Sequence, residues 1–108
     1  MYSNINYIDS IEALDAVFAE SLANPIVIFK HSNNCGISAH ILEQVVTIGT
    51  NINVVIVQNS RHLSNAIETR TGYRHQSPQA FVIKDGKAVY HASHYGIDVD
   101  TISRLLHE

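Results

Sequence analysis

Cys35 is the one cysteine among 108 residues, and it sits in the run Phe29-Lys30-His31-Ser32-Asn33-Asn34-Cys35-Gly36-Ile37-Ser38. An apolar stretch, Pro25 to Phe29, precedes this run and a helix-period segment follows it. A strand that gives way to a short polar loop, with cysteine where the next helix begins, sets the sulfur against unpaired N–H groups and the positive end of the helix dipole. That position favours the thiolate, the reactive form of the residue. Cys35 is therefore read as a nucleophile for thiol–disulfide exchange, although a lone cysteine is elsewhere often an inert, buried hydrophobe. Lys30 and His31, just upstream, are either cations that favour the anion or solvated strand-end residues. Ser38 offers a hydroxyl that can donate to a thiolate but cannot form a disulfide. The alternative is that Ser38 is only a first-turn helix residue.

Seven histidines raise the question of a metal, and His91-x-x-His94 is the spacing nearest to a ligand pair. In an extended strand, positions three apart point to opposite faces. No second cysteine or carboxylate cluster completes a site, so no protein-only metal site is expected.

The elements that must hold the cysteine can be read from the pattern. Asp9-Ser10-Ile11-Glu12 opens a first helix with Asp9 as N-cap and Glu12 three residues on, an acidic form of the capping box. Ile11, Leu14, Val17, Phe18 and Leu22 form its buried face, and Asn24-Pro25 ends it. Pro25 to Phe29 is short, continuous and β-branched, which predicts a strand buried on both faces. A second helix carries Ile37, Ile41, Leu42, Val45, Val46 and Ile48 and stops near Gly49. Asn53 to Val57 is a further strand. A third helix after Ser60-Arg61-His62-Leu63 buries Leu63, Ala66 and Ile67 and stops at Gly72. Strands at Ala80 to Lys84 and Lys87 to Ala92 flank Asp85-Gly86, a hairpin turn. A last helix starts around Asp98. Strands separated by helices require crossovers, so the first two are expected to be parallel, with the hairpin antiparallel. The layout is α/β and thioredoxin-like, a central mixed sheet of about four strands with helices on both faces.

Several separated blocks carry a family resemblance. Phe29-Lys30-His31-Ser32 with Cys35-x-Ile37-Ser38, then Ser60-Arg61-x-Leu63-Ser64-Asn65, then Arg74-His75-x-Ser77-Pro78-Gln79-Ala80, and Lys84-Asp85-Gly86-Lys87 with His91-Ala92-Ser93-His94 closely resemble the monothiol bacilliredoxins. The resemblance runs from about the first strand to the start of the last helix. It implies a thioredoxin fold and bacillithiol-dependent thiol redox, with the family cysteine at Cys35 and a cis proline at Pro78. Ser38 then stands where dithiol enzymes of this fold keep a resolving cysteine, so a thiol from outside must resolve the mixed disulfide. The backbone at Ser77, before that proline, would pair with the substrate chain, and Asn34 would flank it. The chain departs from the family's usual threonine and proline around the cysteine by carrying Asn34 and Gly36. Cys-Gly-Ile-Ser is also similar to the Cys-Gly-Phe-Ser of monothiol glutaredoxins, which carry shared iron–sulfur clusters.

Bulk properties narrow the classes. With 45% hydrophobic and 16% charged residues, residues 1–108 are expected to form one globular domain rather than a disordered segment. A formal net charge of -3 without a Lys/Arg cluster argues against nucleic acid or an anionic membrane as partner. The first sixteen residues lack a basic n-region and a sustained apolar run, so no signal peptide is expected. No apolar stretch approaches the roughly 20 residues of a membrane span. A single cysteine fits a reducing compartment, and the cytosol is expected. The expected activity is removal of a small thiol, such as bacillithiol, from mixed disulfides on proteins by a monomer with no tightly bound cofactor. The alternatives are a [2Fe-2S] carrier built from Cys35 of two subunits plus small thiols, and a non-catalytic adaptor of the same fold.

Overall fold

The computed structural model describes residues 4–108. Its centre is β2 (Ile26–His31), whose first five residues are buried. Both faces of this strand are covered, as its unbroken apolar sequence predicts. β3 (Ile52–Ile56) lies parallel to β2, pairing Val27 with Ile52 and His31 with Ile56. β4 (Gln79–Lys84) lies antiparallel on the other side, and β5 (Lys87–Ser93) completes the hairpin. Asp85 and Gly86 turn that hairpin with φ values of 53° and 77°, the left-handed pair that a two-residue turn of this hand requires.

The sheet has five strands rather than about four, in the order β1-β3-β2-β4-β5. The additional strand, β1 (Ile5–Tyr7), pairs in parallel with β3 at the edge. A three-residue strand is too short to show a period. Its place is set by tertiary partners: Asn6 Nδ2 donates to Asn53 Oδ1 at 2.8 Å, and Asn53 Nδ2 donates to the Val27 carbonyl at 3.0 Å.

Two helices cover each face. α2 (Gly36–Val45) and α4 (Val99–Leu106) bury Ile41, Leu42, Val45 and Ile102 against Val27, Phe29, Val54, Ala80 and Val82. α1 (Ile11–Glu20) and α3 (Arg61–Thr71) bury Leu14, Val17, Leu63 and Ile67 against Ile26, Ile28, Val55, Phe81 and Ile83. The alternation along β2 thus sends Phe29 to one layer and Ile28 to the other. α3 ends on Gly72 at φ 80°, the left-handed stop its sequence predicts.

α1 departs from the expected boundary. Ser10, not Asp9, is the N-cap, with extended backbone and Oγ accepting from Ala13 N at 3.1 Å. Glu12 therefore falls one position short of a capping box. Leu14 and Val17 are buried, whereas Ile11 is exposed and Leu22 lies beyond the helix end, 67% exposed. Among the described residues no helix is long and apolar enough to cross a membrane.

Candidate active site

Cys35 is the N-cap of α2, with φ -122° and ψ 117°, and it is partly exposed. Its carbonyl accepts from Ala39 N at 3.2 Å, while its own N–H reaches the Ser32 carbonyl at 3.4 Å. The side chain makes no capping hydrogen bond. The sulfur thus stands at the head of the helix, where the free N–H groups and dipole lie.

The loop that carries the cysteine is tied down from β3. Gln58, just after that strand, accepts from Asn33 N at 3.2 Å and donates to Ser32 Oγ at 2.8 Å. Ser32 Oγ in turn accepts from Asn34 N at 3.4 Å. Nothing in the local pattern distinguishes Gln58; its role follows from β3 lying beside β2. Asn34 itself is exposed. Gly36 is exposed too, and a Cβ there would meet nothing within 4 Å. Its backbone is helical and not left-handed, so the fold does not require glycine at this position.

Ser38 is wholly buried. Its Oγ accepts from Ser32 N at 3.0 Å and lies 2.7 Å from His31 Nδ1. Burial pushes the His31 imidazole below its ordinary pKa, so the ring is neutral at pH 7. The assignment that satisfies both groups has the Ser38 hydroxyl donating to Nδ1, with the ring proton on Nε2. The Ser38 hydroxyl therefore braces the cysteine loop rather than offering its proton to sulfur. Ser38→Ala leaves the buried Ser32 N–H without its acceptor and is expected to cost about 2 kcal/mol of stability. Urea unfolding at pH 7 measures it, and a variant as stable as the parent would show that the brace is unimportant.

Lys30 does not lie where a cation beside the sulfur was expected. Strand alternation turns it away from α2 and into the α1–α3 layer, where it is fully buried. Its Nζ donates to the Ser64 carbonyl at 3.4 Å. Burial pushes its pKa down to about 8, against a smaller upward pull from Glu68.

Ser77–Pro78 is a cis peptide bond. β2 and β4 pair Lys30 with Gln79, and continuing that register sets Pro78 opposite His31 and Ser77 opposite Ser32. The Pro78 carbonyl accepts from His94 N at 3.0 Å. Gln79, fully buried, holds the preceding loop by donating to the Arg74 carbonyl at 3.0 Å and accepting from Gln76 N at 3.3 Å. Gln79 Nε2 also lies 2.8 Å from His91 Nε2, and the His91 ring stacks on Tyr73 with centroids 4.0 Å apart. Thus Cys35, Ser38 and the Ser77–Pro78 turn converge at the end of β2, and Lys30 lies behind it.

Comparison with known proteins agrees with this geometry. The family described as "Monothiol bacilliredoxin BrxC" matches residues 6–102. A solved structure with a thioredoxin fold is 29% identical, with a TM-score of 0.84 over 94% of this chain and 93% of that one. A thioredoxin variant from Halobacterium salinarum NRC-1 is 19% identical, with a TM-score of 0.74 over 97% of this chain and 89% of the other. Fasciola hepatica thioredoxin is 17% identical, with a TM-score of 0.73 over 94% and 96% of the two chains. At those lower identities the likeness concerns the fold alone. With a thioredoxin fold, one cysteine heading α2 and a family match over nearly its whole length, the chain belongs to the monothiol bacilliredoxin family of thiol–disulfide oxidoreductases.

Proposed function

We propose that the Cys35 thiolate removes a low-molecular-weight thiol, bacillithiol in the first instance, from mixed disulfides on proteins. The thiolate attacks the small thiol's sulfur, a Cys35–S–S–R bond forms, and the protein sulfur leaves as thiolate. A second small thiol then attacks that bond, releasing R–S–S–R and free Cys35. The observation that carries this reading is the pairing of Cys35 at the head of α2 with a buried serine one turn on, which leaves no internal thiol to resolve the intermediate. Asn34, the Ser77 backbone and Pro78 are proposed to receive the protein substrate beside Cys35. Gly36 is proposed to keep the sulfur approachable. The working state is proposed to be a monomer without bound cofactor, in the cytoplasm.

The test supplies a disulfide-capped protein and varies only the second thiol. Turnover is expected to stop after one equivalent when no small thiol is added, with the intact mass of the protein raised by the mass of the thiol less two hydrogens, as a disulfide on Cys35 requires. Multiple turnovers without added thiol would overturn the monothiol scheme. A coloured dimer formed from iron, sulfide and small thiol, without exchange activity, would instead favour the cluster-carrier alternative.

A further inference from the structure

A groove of about 380 Å³ opens beside the cysteine loop. Ser32 and Ser77 line the end nearest Cys35, Arg61, Ser64, Asn65 and His75 contribute polar groups farther along, and Val57 and Gln58 complete the lining. This is the lower range of volumes that hold small molecules, but the lining is polar and cationic. Arg61, at the start of α3, is exposed and makes no ion pair among the described residues. Under the floor lies Lys30, wholly buried, with one hydrogen bond, to the carbonyl of Ser64. Ser64 Oγ lies 3.0 Å from His75 Nδ1, and the His75 backbone N–H donates to Glu68 Oε1 at 2.9 Å. Burial and the charges of Lys30 and Arg61 hold the His75 imidazole below its ordinary pKa, with Glu68 opposing them. Two cations against one carboxylate leave this groove short of negative charge, and its open end meets the loop that carries the nucleophile.

We propose that this groove binds the non-sulfur end of the small thiol and selects thiols that carry a carboxylate, seated between Arg61 and His75. The proposal rests on the thiol-exchange reading and adds to it the class of co-substrate and the residues that recognise it. A carboxylate there accepts from the Arg61 guanidinium and the Asn65 amide while the attached thiol reaches past Ser32 toward Cys35. Arg61 and His75 are thus specificity residues, separate from the sulfur chemistry.

Two measurements test it. In the first, Cys35 thiolate reacts with the symmetrical disulfide R–S–S–R to give Cys35–S–S–R and R–S⁻, with R–SH as N-acetylcysteine or its uncharged amide. Each rate is divided by that of free mercaptoethanol with the same disulfide, which cancels the leaving-group difference. The carboxylate disulfide is expected to react about tenfold faster on this scale, the effect of one charge-assisted hydrogen bond. The ratio is expected to fall close to one in Arg61→Gln. A ratio of one in the parent, or an unchanged ratio in Arg61→Gln, overturns the proposal. In the second, S-methyl-N-acetylcysteine, which has no exchangeable sulfur, is titrated while the His75 ring resonances are followed, assigned with His75→Gln. A saturable rise of the His75 pKa supports the site, because an adjacent carboxylate favours the imidazolium; an unchanged His75 titration overturns it. Exchange at equal normalised rates would sink the groove and leave the exchange reading standing. A shift at His75 with no exchange at Cys35 would do the reverse.

Discussion

Replacing Cys35 with serine is expected to reduce removal of a small thiol from a disulfide-capped protein to the spontaneous rate, with no loss of folding stability. A serine alcohol has no useful anionic fraction at neutral pH and is a poor nucleophile toward sulfur, and the chain holds no other cysteine to substitute. The stability half of the expectation comes from the helix end. Cys35 is an N-cap whose side chain makes no capping bond, whereas serine is among the preferred N-caps and can accept from the first-turn N–H groups. Cys35→Ser should therefore unfold at the same urea concentration as the parent or higher, by up to about 1 kcal/mol. Activity measured against a capped protein and the melt of the same sample separate a chemical loss from a structural one. Residual turnover well above background would remove Cys35 from the centre of the mechanism.

The second large effect belongs to Lys30. A folded-state pKa of about 8 against an ordinary 10.5 corresponds to roughly 3 kcal/mol of penalty for burying the ammonium, and a variant without the charge also forfeits the Ser64 hydrogen bond, which offsets about 1 kcal/mol of that. The sign follows from proton counting. Between pH 8 and 10.5 the unfolded chain binds more protons at this site than the native one, so stability rises with pH across that window. Below about pH 8 both states are protonated and the full penalty is present. Lys30→Met, which keeps the length of the stem without the charge, is expected to be about 2 kcal/mol more stable than the parent at pH 7. The two should converge as pH approaches 10. Urea melts at pH 7, 8.5 and 10 measure this, and a variant that is less stable at pH 7 would show that the Lys30 contact with Ser64 outweighs its desolvation.

Lys30 and Ser38 illustrate where reading along the chain stops. Along the chain both read as supports for the thiolate, Lys30 as a cation just upstream of Cys35 and Ser38 as a hydroxyl one turn after it. Sequence distance says little about direction at the end of a strand, where neighbours face opposite layers. Lys30 faces α3, across 34 residues of chain, and Ser38 turns inward to His31 and Ser32. Gln58, which ties the loop, lies just beyond the end of β3, more than twenty residues away.

By itself the sequence determined the features that arise from short-range chemistry. The β-branched run of β2 specifies a strand covered on both faces, because it has no polar face to offer water. Cys35 at the head of α2, Gly72 as the left-handed stop of α3 and the Asp85-Gly86 turn each follow from residues within one turn of one another. The tertiary structure alone decided the rest. It added β1, whose three residues gain their place from Asn53 and β3 rather than from any periodicity. It also brought Arg61, His75 and buried Lys30 around one groove beside the cysteine loop. That clustering depends on three segments closing over the end of β2, and the direction of each side chain is set by packing across layers, which no local pattern encodes.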